Sequence, residues 1–213
     1  MSTPQIALVD YGLGNRRSME KSLERAGAEV TVSADPDVLA GADGVVLPGV
    51  GAFKRGMEEL TKRGLDLVLP TLAASGKPLL GVCLGMQLLF QSGHEHGPTR
   101  GLGLLAGEVR LLDSRGLNLP HIGWNAVRWE RPSALAEGIA DGTPFYHVHS
   151  FVALPGDPTI VLGTSDHGAR FASVVGRDNI MGTQFHPEKS SRDGIALLAN
   201  FVALCGSRQA VPA

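Results

Sequence analysis

The chain has 213 residues, 43% hydrophobic and 19% charged, with 28 glycines and 13 prolines, which is enough to bury a core without cross-links and too apolar for a disordered segment. A net charge of −2 supplies no basic field for nucleic acid and no polybasic arm for anionic lipid. No run approaches the roughly 20 apolar residues of a membrane span and Met1–Pro4 carries no positive leader, so a soluble cytoplasmic protein is expected.

Ile6–Val9, Glu29–Val32, Gly44–Leu47 and Pro78–Val82 are short runs rich in Val, Ile and Leu bounded by turn residues, and they read as buried strands. Between them the spacing predicts a helix over Arg16–Ala26 closed by Gly27, a short turn opened by Asp35-Pro36, and a helical stretch over Lys54–Ala74 interrupted near Gly64 and Pro70. A further helical stretch is expected over Met86–Gln91. Strands alternating with helices point to a parallel sheet covered on both faces.

After Gln91 the texture changes. Glycine, proline and histidine fill residues 93–103, and short alternating segments follow, with candidate strands at Glu108–Leu112, Ala126–Trp129, Phe145–His149, Ile160–Ser165, Ala172–Val175 and Ile180–Phe185. Ser191–Leu204 reads as a closing helix with Ile195, Leu198 and Val202 on one face, and 207–213 as a frayed tail. The expectation is one α/β domain over 1–213 with its core in 5–204: an open, mixed, mainly parallel sheet flanked by helices, with a β-rich second half.

Two cysteines in a chain of this size are expected to be reduced thiols. Cys205, in the last turn of the closing helix, reads as packing. Cys83 stands in Gly81-Val82-Cys83-Leu84-Gly85, between the most hydrophobic strand and a helical stretch. That is a nucleophile elbow with Cys in place of Ser, where glycines on both sides admit a strained backbone and the helix behind favours negative charge on sulfur. A thiol nucleophile needs a base, and Gln184-Phe185-His186-Pro187-Glu188 supplies one. Pro187 keeps His186 extended, so His186 and Glu188 face the same side and the carboxylate can orient the ring. Parallel strands bring such chain-distant residues to one carboxyl edge. Pro48-Gly49-Val50-Gly51 is flexible enough to turn an N–H outward, and with the amide of Leu84 it would form an oxyanion hole. The residues alone thus reach a Cys-His-Glu acyl-transfer hydrolase, and leave a cysteine peptidase or γ-glutamyl hydrolase open.

Other features carry less. Gly12-Leu13-Gly14 lacks the third glycine of a dinucleotide fingerprint. His94-Glu95-His96 has no partner at zinc spacing and reads as a solvated loop. Asp166, His167, His147 and His149 have no spacing that selects a role, and His121 and Trp124 lie in a turn bounded by glycine and proline.

Gly81-Val82-Cys83-Leu84-Gly85-Met86-Gln87 and Phe185-His186-Pro187-Glu188 resemble the nucleophile and His-Glu motifs of the class I (triad) glutamine amidotransferases, a likeness that covers residues 5–204. The resemblance implies that Cys83 attacks the side-chain amide of L-glutamine, His186 protonates the leaving ammonia and Glu188 orients His186, with no cofactor and no metal. It further implies oxyanion amides at Val50 and Leu84, and glutamine-binding positions at Gly49, Gly51, Gln87, Ser150 and Phe151. Segments 48–53, 120–125, 146–150 and 186–190 resemble members of that family that serve histidine biosynthesis as heterodimers with a (β/α)8-barrel cyclase. In that likeness Gly12, Asn15, Ile122, Trp124, Asn125, Tyr146 and Lys189 face the cyclase, and Arg16 stands where an apolar residue is expected. Another triad glutaminase, of the pyridoxal phosphate synthase type, is the alternative within the family.

Overall fold

The computed structural model describes residues 2–207. The first half runs β1 (Gln5–Val9), α1 (Arg16–Arg25), β2 (Glu29–Ser33), α2 (Pro36–Gly41), β3 (Gly44–Leu47), α3 (Phe53–Lys62), α4 (Leu65–Ala74), β4 (Leu79–Val82) and α5 (Leu84–Leu88). Nine strands follow: β5 (Phe90–Gly93), β6 (Thr99–Arg100), β7 (Leu105–Leu111), β8 (His121–Ala126), β9 (Arg128–Trp129), β10 (Pro144–His149), β11 (Phe151–Pro155), β12 (Val161–His167) and β13 (Ala169–Arg177). The described chain then closes with β14 (Ile180–Thr183) and α6 (Ser191–Ser207).

An eight-stranded sheet in the order β2-β1-β3-β4-β14-β13-β12-β9 is the spine. Its first five strands are parallel and the last three pair antiparallel. β3 and β4 are buried at every position, which is why they read as unbroken apolar runs: both faces of a parallel sheet are covered. β1 shows the two-residue period that assigns faces. Ile6 and Leu8 pack with Met19 and Leu23 of α1 and with Leu197, Leu198 and Phe201 of α6. Ala7 and Val9 pack on the other face with Leu39 of α2, Met57 and Leu60 of α3, and Leu65, Leu69 and Ala73 of α4. The remaining strands form a four-stranded sheet, β11-β7-β5-β6, and a two-stranded ribbon, β10-β8. The predicted fold class is the observed one.

Several local expectations need correction. Asp35-Pro36 opens a six-residue helix rather than a turn, because the Asp35 carboxylate accepts the Asp37 N–H at 2.9 Å and Pro36 occupies the first helical position. The 54–74 stretch breaks only at Gly64, which takes a left-handed φ of 69°. Pro70 lies inside α4, tolerated because buried Leu65, Leu69 and Ala73 hold the helix on the core. α5 ends at Leu88 and Phe90 starts β5, so Gln91 is strand, not helix. Ala126 and Trp129 fall in different strands, and β8 occupies the supposed turn around His121 and Trp124. Ser207 still belongs to α6, and the rest of the expected tail lies outside the described residues. Cys205 is buried in the core, as expected, so close to β3 that a Cβ on Gly44 would stand 2.3 Å from its sulfur.

Candidate active site

Cys83 caps α5 with φ 54° and ψ −110°, a conformation costly for any residue with a side chain. The surrounding packing imposes it. A Cβ on Gly81 would meet the Gly85 carbonyl oxygen and the Met86 nitrogen at 2.7 Å, and one on Gly85 would come within 1.8 Å of the Leu47 carbonyl oxygen. The elbow glycines are therefore required by the close approach of α5 to β3 and to its own strand. The Cys83 N–H continues the β4–β14 ladder by donating to the Thr183 carbonyl at 2.7 Å. The thiol lies 3.9 Å from the Val148 carbonyl oxygen, and the Gln184 side-chain amide donates to Sγ at 3.8 Å.

β14 lies beside β4 with Thr183 opposite Val82, so residues just beyond both strands emerge at one edge. His186 donates its backbone N–H to the Tyr146 carbonyl at 2.9 Å, and its ring Nδ1 donates to Glu188 Oε1 at 2.8 Å. Both side chains are almost wholly buried, at 2% and 3% exposure. Among the described residues, His186 Nε2 and Glu188 Oε2 are buried without a protein hydrogen-bond partner. Burial opposes charge on the imidazole, but attraction to Cys83 and Glu188, together with the hydrogen bond to Glu188, outweighs it and pushes its pKa up to about 10. A ring that keeps its proton in the neutral pH range is a ready general acid.

Cys83 and His186 line a cleft of about 490 Å³. Val50, Gly51 and Ala52 enter it from the end of β3, Leu84 and Gln87 from α5, and Val148, His149, Ser150 and Phe151 from the β10–β11 corner. Pro120, Glu95 and Lys189 complete the rim. Gly49 is not among these lining residues. It lies beneath them, where an added Cβ would meet the Tyr11 hydroxyl at 2.4 Å, and that hydroxyl donates to the Pro48 carbonyl at 2.7 Å. Burial, reinforced by Cys83, pushes the Tyr11 phenol far above its ordinary range, so it stays a neutral donor. Gln87 lines the cleft, yet its amide N–H groups serve the Phe151 carbonyl at 2.9 Å and Gln184 Oε1 at 3.1 Å.

A family model described as glutamine amidotransferase class-I matches residues 7–205. The chain belongs to the class-I glutamine amidotransferases. Relatives named imidazole glycerol phosphate synthase subunit HisH align along nearly all of it. The one from Moorella thermoacetica is 50% identical, covering 92% of this chain and 93% of the relative, and the one from Natronomonas pharaonis is 48% identical over 97% of each. Among solved structures, PurLQS from Thermotoga maritima superposes with a TM-score of 0.76 at 20% identity, covering 95% of this chain and 99% of that one. The glutaminase domain of Trypanosoma brucei CTPS with bound acivicin gives 0.69 at 18%, covering 96% and 94%. At these identities the two superpositions establish the fold.

In this class-I glutamine amidotransferase one carboxylate of the cleft is not legible in the sequence. The local pattern puts Glu95 in a solvated loop, but its Oε2 accepts the Phe53 N–H at 2.9 Å at the start of α3, and it faces the cleft. His94 is likewise engaged, 3.0 Å from Glu108. Ser190 joins β10 to the histidine loop, accepting the Tyr146 N–H at 2.9 Å and donating to the His186 carbonyl at 2.7 Å. These contacts span 42 and 44 residues of sequence for Glu95 and Ser190, so no local pattern announces them. Arg16 pairs with Asp10, whose other oxygen accepts the Gly12 N–H at 3.1 Å, so the charge standing where an apolar residue is expected braces the first loop. Asn15 caps α1 through its backbone alone. On the β8–β10 ribbon Ile122 and Trp124 are 60% and 54% exposed, Trp124 meets Tyr146 edge-on at 6.1 Å, and Lys189 Nζ lies 5.9 Å from the Tyr146 ring centre. Asn125 points the other way, toward His121 at 3.2 Å. Among the described residues no group of three His, Cys, Asp or Glu side chains is arranged to hold a metal.

Proposed function

We propose that this chain is the glutaminase subunit of imidazole glycerol phosphate synthase, hydrolysing L-glutamine to glutamate and ammonia and delivering the ammonia to a cyclase subunit in histidine biosynthesis. The observation that carries the chemistry is the strained Cys83 at the head of the cleft, beside an imidazole fixed by Glu188 at 2.8 Å. The named relatives, near 50% identical over more than nine-tenths of the chain, carry the pathway. No described helix is long and apolar enough to cross a membrane, and a biosynthetic role fits the cytoplasm.

In this reading residues 1–213 act as one amidotransferase domain. Sγ of Cys83 attacks the side-chain carbonyl carbon, and the backbone N–H groups of Val50 and Leu84 receive the developing oxyanion. His186 donates its proton to the departing ammonia, then takes one from the water that cleaves the thioester. Gly51, Ser150 and Phe151 shape the cleft around the substrate backbone, Gly49 holds the oxyanion strand against Tyr11, and Gln87 positions the wall through Phe151. Glu95 supplies a negative group for the substrate ammonium. The partner, a (β/α)8-barrel cyclase, docks on the Ile122, Trp124 and Tyr146 face with Lys189 and the Gly12–Asn15 loop at its margins, forming a heterodimer, while Asn125 braces that ribbon from behind through His121 and Asp166.

The test is glutamate release measured with and without the cyclase and its nucleotide substrate. Wild type is expected to turn over faster in the complex, and Cys83→Ala is expected to be inactive while still binding the partner. Appreciable glutaminase in Cys83→Ala would overturn the nucleophile, and hydrolysis of γ-glutamyl peptides in preference to glutamine would overturn the substrate.

A further inference from the structure

Four histidines meet beside the cleft, none of them part of the triad. His121 stacks on His167 with ring centres 4.3 Å apart and meets His149 edge-on at 5.0 Å, and His147 lies 5.0 Å from His121. The hydrogen bonds through His121 and His149 form a directed series. The Asn125 amide donates to the Asp166 carbonyl at 2.9 Å and to His121 Nε2 at 3.2 Å. His121 Nδ1 lies 3.1 Å from His149 Nε2, and His149 Nδ1 lies 3.1 Å from the Phe151 carbonyl oxygen. That oxygen also accepts from Gln87, whose second N–H reaches Gln184, whose own amide reaches Cys83 Sγ.

Only one proton arrangement satisfies every link. The Phe151 carbonyl cannot donate, so His149 carries its proton on Nδ1, which leaves Nε2 as an acceptor. His121 must then donate from Nδ1, which leaves its Nε2 to accept from Asn125. The Asp166 carbonyl fixes the orientation of the Asn125 amide, because the flipped amide would set oxygen against oxygen. A proton added to either ring would place two donors face to face. Burial, with the neighbouring histidines, lowers His121 to about 4 and His149 to about 2, so both rings are neutral under ordinary conditions.

We propose that His121 and His149 are positioning residues for glutamine hydrolysis: neutral rings protonated on Nδ1 that tie the β8 ribbon to the Phe151 wall and, through Gln87 and Gln184, to the Cys83 thiol. The functional half rests on reading Cys83 as the nucleophile, whereas the proton arrangement does not.

Two measurements test it. Long-range ¹H–¹⁵N correlation on the ¹⁵N-histidine-labelled full chain is expected to show His121 and His149 as neutral Nδ1–H tautomers, and an Nε2–H or charged form at either overturns the arrangement. In the complex with the cyclase, His121→Leu removes the donor to His149, while His121→Asn keeps a donor at the Nδ1 position. The expected result is a fall of about fivefold in kcat/KM for glutamine in His121→Leu, the worth of one net hydrogen bond, largely restored in His121→Asn. Equal kinetics in both variants, wild-type or impaired, would overturn the positioning role. Should His121→Leu fail to fold, the tautomers of the wild-type chain still decide the arrangement, and Cys83→Ala decides the nucleophile separately.

Discussion

Acidification from pH 7 to pH 5 is expected to remove about 5 kcal/mol of folding stability, the lower end of what such a domain possesses. Burial, partly offset by a hydrogen bond to the Phe145 carbonyl, lowers His147 to about 3, and burial with its histidine neighbours lowers His149 to about 2. In the unfolded chain both return to about 6.5. A histidine whose folded pKa is depressed contributes in full above 6.5, and that contribution drains away as pH falls. At pH 5 each has lost about 2 kcal/mol relative to pH 7, since one unit of proton affinity is about 1.4 kcal/mol. His121, lowered to about 4 and so still mainly neutral when folded at pH 5, adds about 2 kcal/mol more. His186 has the opposite sign. With a folded pKa of about 10 its contribution is complete below 6.5 and fades as pH rises through 10, so between pH 7 and 5 it returns less than about 1 kcal/mol. Urea unfolding at both pH values, above the main carboxylate range, reads the difference. His147→Asn, which keeps a donor near the Phe145 carbonyl, should flatten it by about 2 kcal/mol. Identical stabilities at pH 7 and 5, or an unaltered slope in His147→Asn, would refute the reasoning.

Gly85→Ala should destabilise by about 3 kcal/mol or more, because the new methyl cannot coexist with the Leu47 carbonyl 1.8 Å away; a thermal melt matching wild type would contradict that packing. Glu188→Gln should lower kcat by about 10²–10⁴-fold, a smaller loss than Cys83→Ala because His186 remains; single-turnover glutamate release compares the two. Lys189→Ala should weaken stimulation by the cyclase while iodoacetamide labelling of Cys83 stays unchanged, and a loss of labelling would place Lys189 within the thiol chemistry.

β1, β3 and β4 were legible because burial on both faces writes them as apolar runs, and the elbow because its glycines are imposed within five residues of each other. β8 was hidden for a physical reason. Its inward side carries His121, its outward side Ile122 and Trp124, so the usual pattern of apolar in and polar out is inverted and the segment resembles a turn. β11 was masked by Pro155, and β5 by following directly on a short helix. Cys83, His186 and Glu188 could be brought to one edge because parallel strands share it; Glu95 and Ser190 could not be placed, since each acts on a backbone group more than forty residues away.

β14 sits between β4 and β13 although it is among the last strands in sequence. A ribosome therefore delivers Cys83 roughly a hundred residues before His186, and until β14 threads into that gap the growing polypeptide has its elbow sulfur without the His186 ring. On the proposed mechanism such incomplete products lack the acid that glutamine hydrolysis requires, and a premature stop anywhere before Ile180 leaves the sheet split between β4 and β13.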